Sequence, residues 1–217
     1  MYVLSTPFNG ALAFLLGLTG DWFFAIVLLT LAIKLVMFPL SVKQQKAMIV
    51  SQNLNEVRKS LSERFKNQTE KVNAQLAQVM TRYKVNPLLP FITLVIQAPV
   101  FFSLYFSLLH LSTSIGSAFL PWILAVSNPD SLHILPVIGS LMQGLASLTA
   151  ENKNLVMFVL PVALGLVFLW KAPAALSVYW GINALLSFAE RKIMSLERFQ
   201  KRFLQVPSRE EMLKSLA

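Results

Sequence analysis

From Trp22 to Leu40 the chain reads WFFAIVLLTLAIKLVMFPL, an apolar stretch interrupted by one charged side chain, Lys34. No other feature constrains the fold as strongly. Lipid offers no partner to an unpaired backbone N–H or C=O, so a segment of this kind must satisfy its own backbone, as a helix does. Four further apolar segments follow, Leu88–Leu111, Leu132–Ala150, Leu155–Trp170 and Ala174–Ala189. With 55% hydrophobic and 13% charged residues and a mean hydropathy of +0.61, a soluble domain of this composition would aggregate. The expected class is an all-α integral membrane protein with five transmembrane helices. The last two spans are short. At about 1.5 Å per residue each reaches about 24 Å against a hydrocarbon core of about 30 Å, so flanking residues extend them or the bilayer thins. Between them KAPAAL, Lys171–Leu176, places Pro173 where a new helix would begin, which favours a tight hairpin over one long helix.

Lysine and arginine are spread unevenly around these segments. Nine lie between Ser41 and Asn86 (Lys43, Lys46, Arg58, Lys59, Arg64, Lys66, Lys71, Arg82 and Lys84), seven follow Glu190, and Lys153 stands between the third and fourth spans. Only Lys171 falls on the opposite side. The positive-inside rule then puts the N-terminus outside and the C-terminus in the cytoplasm of a multi-pass protein. Topology alone accounts for most of the net charge of +9, and a nucleic-acid partner is not required by it. The absence of cysteine excludes disulfides, thiolate metal sites, a thiol nucleophile and a lipidated cysteine.

Three regions follow from these patterns. Residues 1–21 hold a short apolar run without a basic flank, a poor signal peptide, and with Pro7, Gly10 and Gly17 they read as a segment in the outer interface. Residues 22–189 form the five-helix core. Within it, residues 41–86 form a cytoplasmic hairpin between the first and second spans. Leu54, Val57, Leu61 and Phe65 recur at helical spacing, as do Val72, Leu76, Val79 and Tyr83, while KNQTE, Lys66–Glu70, reads as the turn with Thr69 as N-cap. Two amphipathic helices of this kind close on each other, and a lipid headgroup surface is the simplest further contact. Residues 190–217 are a basic cytoplasmic tail in which Arg191, Lys192, Arg198, Lys201 and Arg202 cluster beside the last span.

Signs of catalysis are missing. The sequence contains no G-x-S-x-G, no H-E-x-x-H and no phosphate-binding glycine loop, and no catalytic residue, metal or cofactor is expected. His110 and His133 fall near the outer ends of their spans, where a wetted structural role is the simple reading. Polar groups do recur inside the spans: Lys34, Gln97, Gln143 and Asn183. A lysine at the centre of a span costs about 2.5–3.5 kcal/mol on insertion scales. Either its stem snorkels to the cytoplasmic interface, or it faces a hydrated cavity between helices.

Three pieces stand in order along the chain: GDWFFAIVLLTLAIKLVMFPLSVKQQKAM, then RYKVNPLLPFITLVIQAPVFFSLYFSL, then APAALSVYWGINALLSFAE. Together they resemble the YidC-type membrane protein insertase family and its mitochondrial and chloroplast relatives. The most specific matches are Phe38-Pro39-Leu40 with Lys43-Gln44, Asn86-Pro87, Gln97 with Pro99, and Pro173 followed by Tyr179-Trp180 and Asn183. The resemblance implies a minimal five-helix core around a hydrophilic groove, open to cytoplasm and lipid and closed on the outer side. It places Lys34, Thr30, Gln97, Gln143, Tyr179, Trp180 and Asn183 in that groove. It also implies insertion of newly made proteins into a bacterial inner membrane without nucleotide hydrolysis, by a protein for which a monomer suffices. Nascent membrane proteins and the lipid bilayer are the implied partners, the ribosome and the Sec translocon further candidates, with Arg191, Lys192, Arg198, Lys201 and Arg202 as the ribosome-contact residues. The chain departs from the family in carrying lysine where arginine is usual, and Leu88, Leu89 and Ala175 where glycine is favoured. Lysine keeps a point charge but lacks the planar, multi-donor guanidinium.

Two other classes use the same features. A midplane cation among amides suits a small-anion transporter or channel, in which Pro161 and Gly165 would break the fourth span. A purely structural assembly factor could use the same groove. No internal repeat supports the transporter reading.

Overall fold

The computed structural model describes residues 2–66, 68–83, 89–110, 116–148 and 155–216. Regular structure among them is helical: α1 (Tyr2–Thr19), α2 (Trp22–Phe65), α3 (Thr69–Arg82), α4 (Leu89–His110), α5 (Ile134–Ser147), α6 (Leu155–Leu169), α7 (Ala174–Met194), α8 (Glu197–Phe199) continuing into a π-helical turn at Gln200–Leu204, and α9 (Arg209–Lys214). Over the described residues only α2 is long and apolar enough to cross a membrane by itself; Phe8–Thr19, Ala98–Leu108, Ile134–Ser147 and Phe158–Leu169 are apolar but shorter. The chain divides into two compact units, Met1–Met37 with Gln97–Glu190, and Phe38–Ile96 with Arg191–Ala217.

The first unit packs around an apolar cluster drawn from helix ends. Leu12 and Leu16 of α1, Trp22, Ala25, Ile26 and Leu29 of α2, Leu104 and Leu108 of α4, and Ala174–Leu176, Val178 and Tyr179 of α7 are buried together. α1 is thus built into this core by Leu12 and Leu16. Gly20, at φ 63°, makes the left-handed turn that ends α1, with its N–H on the Leu16 carbonyl at 2.9 Å. Leu120, Ile123 and Val126 join the cluster from the segment preceding α5, which two buried carboxylates hold in place. Asp21 caps α2 through the Phe23 N–H at 2.8 Å and accepts from Ser117 Oγ at 3.1 Å and the Ala118 N–H at 2.8 Å. Burial raises the Asp21 pKa, but the bonds from Ser117, Ala118, Phe23 and Phe24 outweigh it and leave the pKa lowered. Asp130 accepts from Trp122 Nε1 at 3.1 Å and from the N–H groups of Leu132 and Leu135 at 3.0 and 2.7 Å. The Asn128 carbonyl receives the Ala174 N–H at 2.7 Å, tying this segment to the start of α7.

Small residues set the approach of α5, α6 and α7. A Cβ on Gly139 would lie 2.9 Å from the Ser177 carbonyl oxygen, and one on Gly165 would lie 2.5 Å from Ser140 Oγ. Close backbone contact of this kind is how helices associate in lipid, where no hydrophobic force drives them together. α6 runs unbroken through Pro161 and Gly165, so the helix break that would suit a carrier is not there. Gly165 serves packing instead. Away from these contacts large apolar side chains point outward, including Leu35 (68% exposed) and Val36 (80%) on α2 and Val167 (76%) on α6, as lipid-facing positions would.

In the second unit the hairpin begins without a break, because α2 continues from the apolar stretch to Phe65. Pro39 lacks the N–H that would reach the Leu35 carbonyl, yet Ser41–Gln52 contains no Gly or Pro and is rich in helix-forming Lys, Gln, Ala and Met, so the helix resumes. The turn differs from expectation in one detail. Gln68, not Thr69, is the N-cap of α3, and its side chain makes no capping bond. The chain reverses through Lys66, at φ 33°, and the Gln68 carbonyl accepts from Lys71 and Val72 at 3.1 and 3.2 Å, so Thr69 is already inside the helix. Leu54, Val57, Leu61, Val72 and Val79 are buried in one cluster, with Phe65, Leu76 and Tyr83 packed against it.

The tail completes that cluster. Met212 is fully buried in it, and Val206, Leu213 and Leu216 pack on its edge. Asn53 Nδ2 donates to the Pro207 carbonyl at 2.9 Å, Arg209 Nη2 to Ser60 Oγ at 2.8 Å, and Tyr83 Oη to the Glu211 carbonyl at 3.3 Å. Ser208 and Glu211 form a capping box that starts α9.

Candidate functional site

Lys34 is where the structure answers the sequence most directly. Its ammonium donates to Ser187 Oγ at 2.6 Å and lies 3.3 Å from Glu190 Oε2, both on α7. Only 16% of the lysine side chain and 14% of the glutamate side chain is exposed. A charge-assisted pair with an added hydroxyl contact lowers the cost of carrying lysine in an apolar segment, though desolvation of both ions offsets much of the attraction. Ser187 Oγ also donates to the Asn183 carbonyl at 2.7 Å, which orients its lone pairs toward the lysine. An uncompensated charge does not describe this arrangement. Glu190, read as the first residue of the tail, is the partner that sequence reasoning missed. Its signal was the spacing of Trp180, Asn183, Ser187 and Glu190, steps of three and four that put all of them on one helical face.

The other expected groove residues fall in three settings. Thr30 is buried one turn before Lys34 on the same face of α2, and its hydroxyl donates to the Ile26 carbonyl at 2.7 Å. Tyr179 lies in the apolar core, 2% exposed, rather than beside the ion pair. Trp180 is half-buried, packs edge-on against Phe101 at 5.4 Å, and its buried Nε1–H has no hydrogen-bond partner among the described residues. Asn183 and Gln143 are half-buried. Gln97 lies in α4 but outside the described side chains, as does His110, and Asn86, Pro87 and Lys153 lie outside the described residues. His133 stacks on Trp170 at 4.1 Å.

Among the tail cations, Lys192, Arg198, Lys201 and Arg202 are exposed, while Arg191 is half-buried. Lys201 approaches Glu197 at 3.5 Å and Arg202 lies over the Phe203 ring at 5.6 Å. Among the described residues no cluster of three or more His, Asp or Glu could hold a metal ion.

Helical structure across the described residues, a long apolar helix with large apolar side chains pointing outward and an ion pair between two helices define the class, a helical membrane protein with a charged site among its apolar segments. The chain belongs to the 60Kd inner membrane protein family, whose model matches residues 14–201. It is similar to the membrane protein insertase YidC of Cupriavidus taiwanensis, 35% identical over 194 residues, covering 87% of this chain and 34% of that one. The insertase of the same name from Paraburkholderia phymatum is 34% identical over 205 residues, covering 92% and 37%. That of Dechloromonas aromatica is 34% identical over 196 residues, covering 87% and 35%. The chain thus spans about a third of the length of the curated relatives it matches.

Proposed function

We propose that this chain is the core of a membrane protein insertase and foldase that moves newly made proteins into an inner membrane without chemical catalysis or nucleotide hydrolysis. The observation that carries the reading is the cation of Lys34 on α2, set within an apolar segment and held by Ser187 and Glu190 of α7, in a chain of this family. A polar, hydrated groove there shortens the apolar barrier that a polar segment of a client must cross, and the cation attracts its acidic residues. Burial of the client's apolar helix in lipid supplies the free energy.

Five spans carry this core: residues 22–40 of α2, then α4, α5, α6 and α7, with the N-terminus outside and the C-terminus in the cytoplasm. At about 1.5 Å per residue the described α5 and α6 reach only about 21 and 22 Å, so the bilayer beside them thins and the barrier falls further. Nascent membrane proteins are the clients. Arg191, Lys192, Arg198, Lys201 and Arg202 contact ribosomal RNA phosphates, a salt-sensitive attraction. The Sec translocon is a further partner, and one copy of the chain is sufficient.

The test is insertion of a short single-span client with an acidic translocated tail into proteoliposomes holding this protein, beside a flux assay with small anions. Lys34→Arg keeps insertion. Lys34→Leu lowers it about tenfold at normal abundance, and Lys34→Glu lowers it further by repelling the client. Anion flux without insertion would transfer the site to the transporter reading, and full insertion by Lys34→Leu would remove the cation from the mechanism.

A further inference from the structure

The lysine at this site already holds a carboxylate. Glu190 Oε2 stands 3.3 Å from Lys34 Nζ, where an incoming aspartate or glutamate would have to bind to use the same charge. Ser187 Oγ, at 2.6 Å, makes a second contact with the ammonium and is itself anchored to the Asn183 carbonyl, so it holds the lysine in place when the carboxylate leaves. Glu190 is the next residue after the apolar segment ending at Ala189, and Arg191 and Lys192 follow it directly. Its side chain has three rotatable bonds and stands at the boundary where water and other cations are near in sequence.

We infer that Glu190 is a built-in competitor for the client: its carboxylate occupies Lys34 in the unloaded protein and is displaced by an acidic residue of the translocated segment, so that it sets how acidic a client must be. The inference rests on the insertase reading and adds a specificity-determining residue to it. With Glu190 in place the pair presents little net charge, and a neutral or weakly acidic tail gains nothing by approaching. An acidic tail exchanges one carboxylate for another, and Glu190 returns when the client moves into lipid. Exchange costs less than stripping a partner from the lysine, because the ammonium is never left uncompensated in a low-dielectric site.

The experiment uses the full chain in proteoliposomes and three single-span clients that differ only in carrying no, one or two aspartates in the translocated tail. Glu190→Gln leaves a net positive site, so the one-aspartate client gains at least about fivefold over the client with none, the ratio for a single screened contact at ionic distance. Glu190→Asp keeps the carboxylate and stays near the parent ratio. The same comparison is made with Lys34→Arg, alone and with Glu190→Gln, because the guanidinium keeps a cation there with a different donor geometry. A change by the same factor for all three clients, in both backgrounds, would make the pair a mere tie between α2 and α7 and overturn the inference. If Lys34→Gln together with Glu190→Gln still prefers the acidic clients, the insertase reading loses its cation and the failure lies there, not with Glu190.

Discussion

Asp21, at the head of α2, is a carboxylate whose charged form is selected by four hydrogen bonds and opposed by burial. Its folded pKa lies below the ordinary aspartate value of about 3.9. A depressed folded pKa contributes stability that is complete above the unfolded pKa and disappears as pH falls through the folded one, so the window of loss lies below about pH 4. Asp21→Asn removes the charge but retains much of the shape. In detergent at pH 7 it should lower thermal stability by about 1 kcal/mol, and the gap from the parent should narrow as the pH falls below the ordinary aspartate value. A constant gap across that range would mean that shape and not ionisation matters there. Lys34 differs because its partner is another ion: removing either member leaves a charge in a poorly solvated site, which is why the Glu190 variants need abundance measured alongside insertion.

Among the elements, the hairpin and the end of the tail behave as one folding piece. Eight stripe residues of the hairpin meet as their spacing suggests, but the cluster is completed by Met212, and four hydrogen bonds tie 207–215 to the hairpin. Two roles therefore lie side by side in the tail, a docked apolar end and an exposed basic run. Met212→Ala should cost about 2 kcal/mol or more of hairpin stability, read as faster amide exchange in α3, and leave ribosome cosedimentation at low salt unchanged. Arg198→Gln with Arg202→Gln should do the reverse. Loss of ribosome binding in the Met212 variant would show that the docked end, rather than the basic run, makes the contact. Deleting Arg198–Ala217 as a block confounds the two.

At the scale of the whole molecule the proposed orientation rests on charge placement, with seventeen of the eighteen loop and tail cations assigned to one side. A reporter fused after Ala217 should be cytoplasmic and one inserted at Gly116 should be outside, measured by accessibility to a membrane-impermeant label. A cytoplasmic Gly116 reporter would end the five-span reading. The segment around that position has a compact fold of its own, with Leu120, Ile123 and Val126 buried and Asp21 and Asp130 satisfied by N–H and O–H donors.

Sequence alone determined the helical membrane class, the apolar segments, and the hairpin with its stripes, because hydropathy and a period of 3.6 are local properties of the chain. It also drew attention to Lys34, since one charge in an apolar run stands out without any knowledge of its surroundings. Tertiary structure decided the rest. The carboxylate that faces Lys34 comes from 156 positions away, and Met212 reaches a hairpin whose nearest stripe residue, Tyr83, is more than a hundred positions earlier. Tyr179 and Trp180 are neighbours in one motif, yet one is sealed in the core and the other edges toward Phe101, because successive helical residues turn by about 100° and meet different neighbours. Pairing across such distances depends on which helix faces pack together, and no local pattern of residues specifies that.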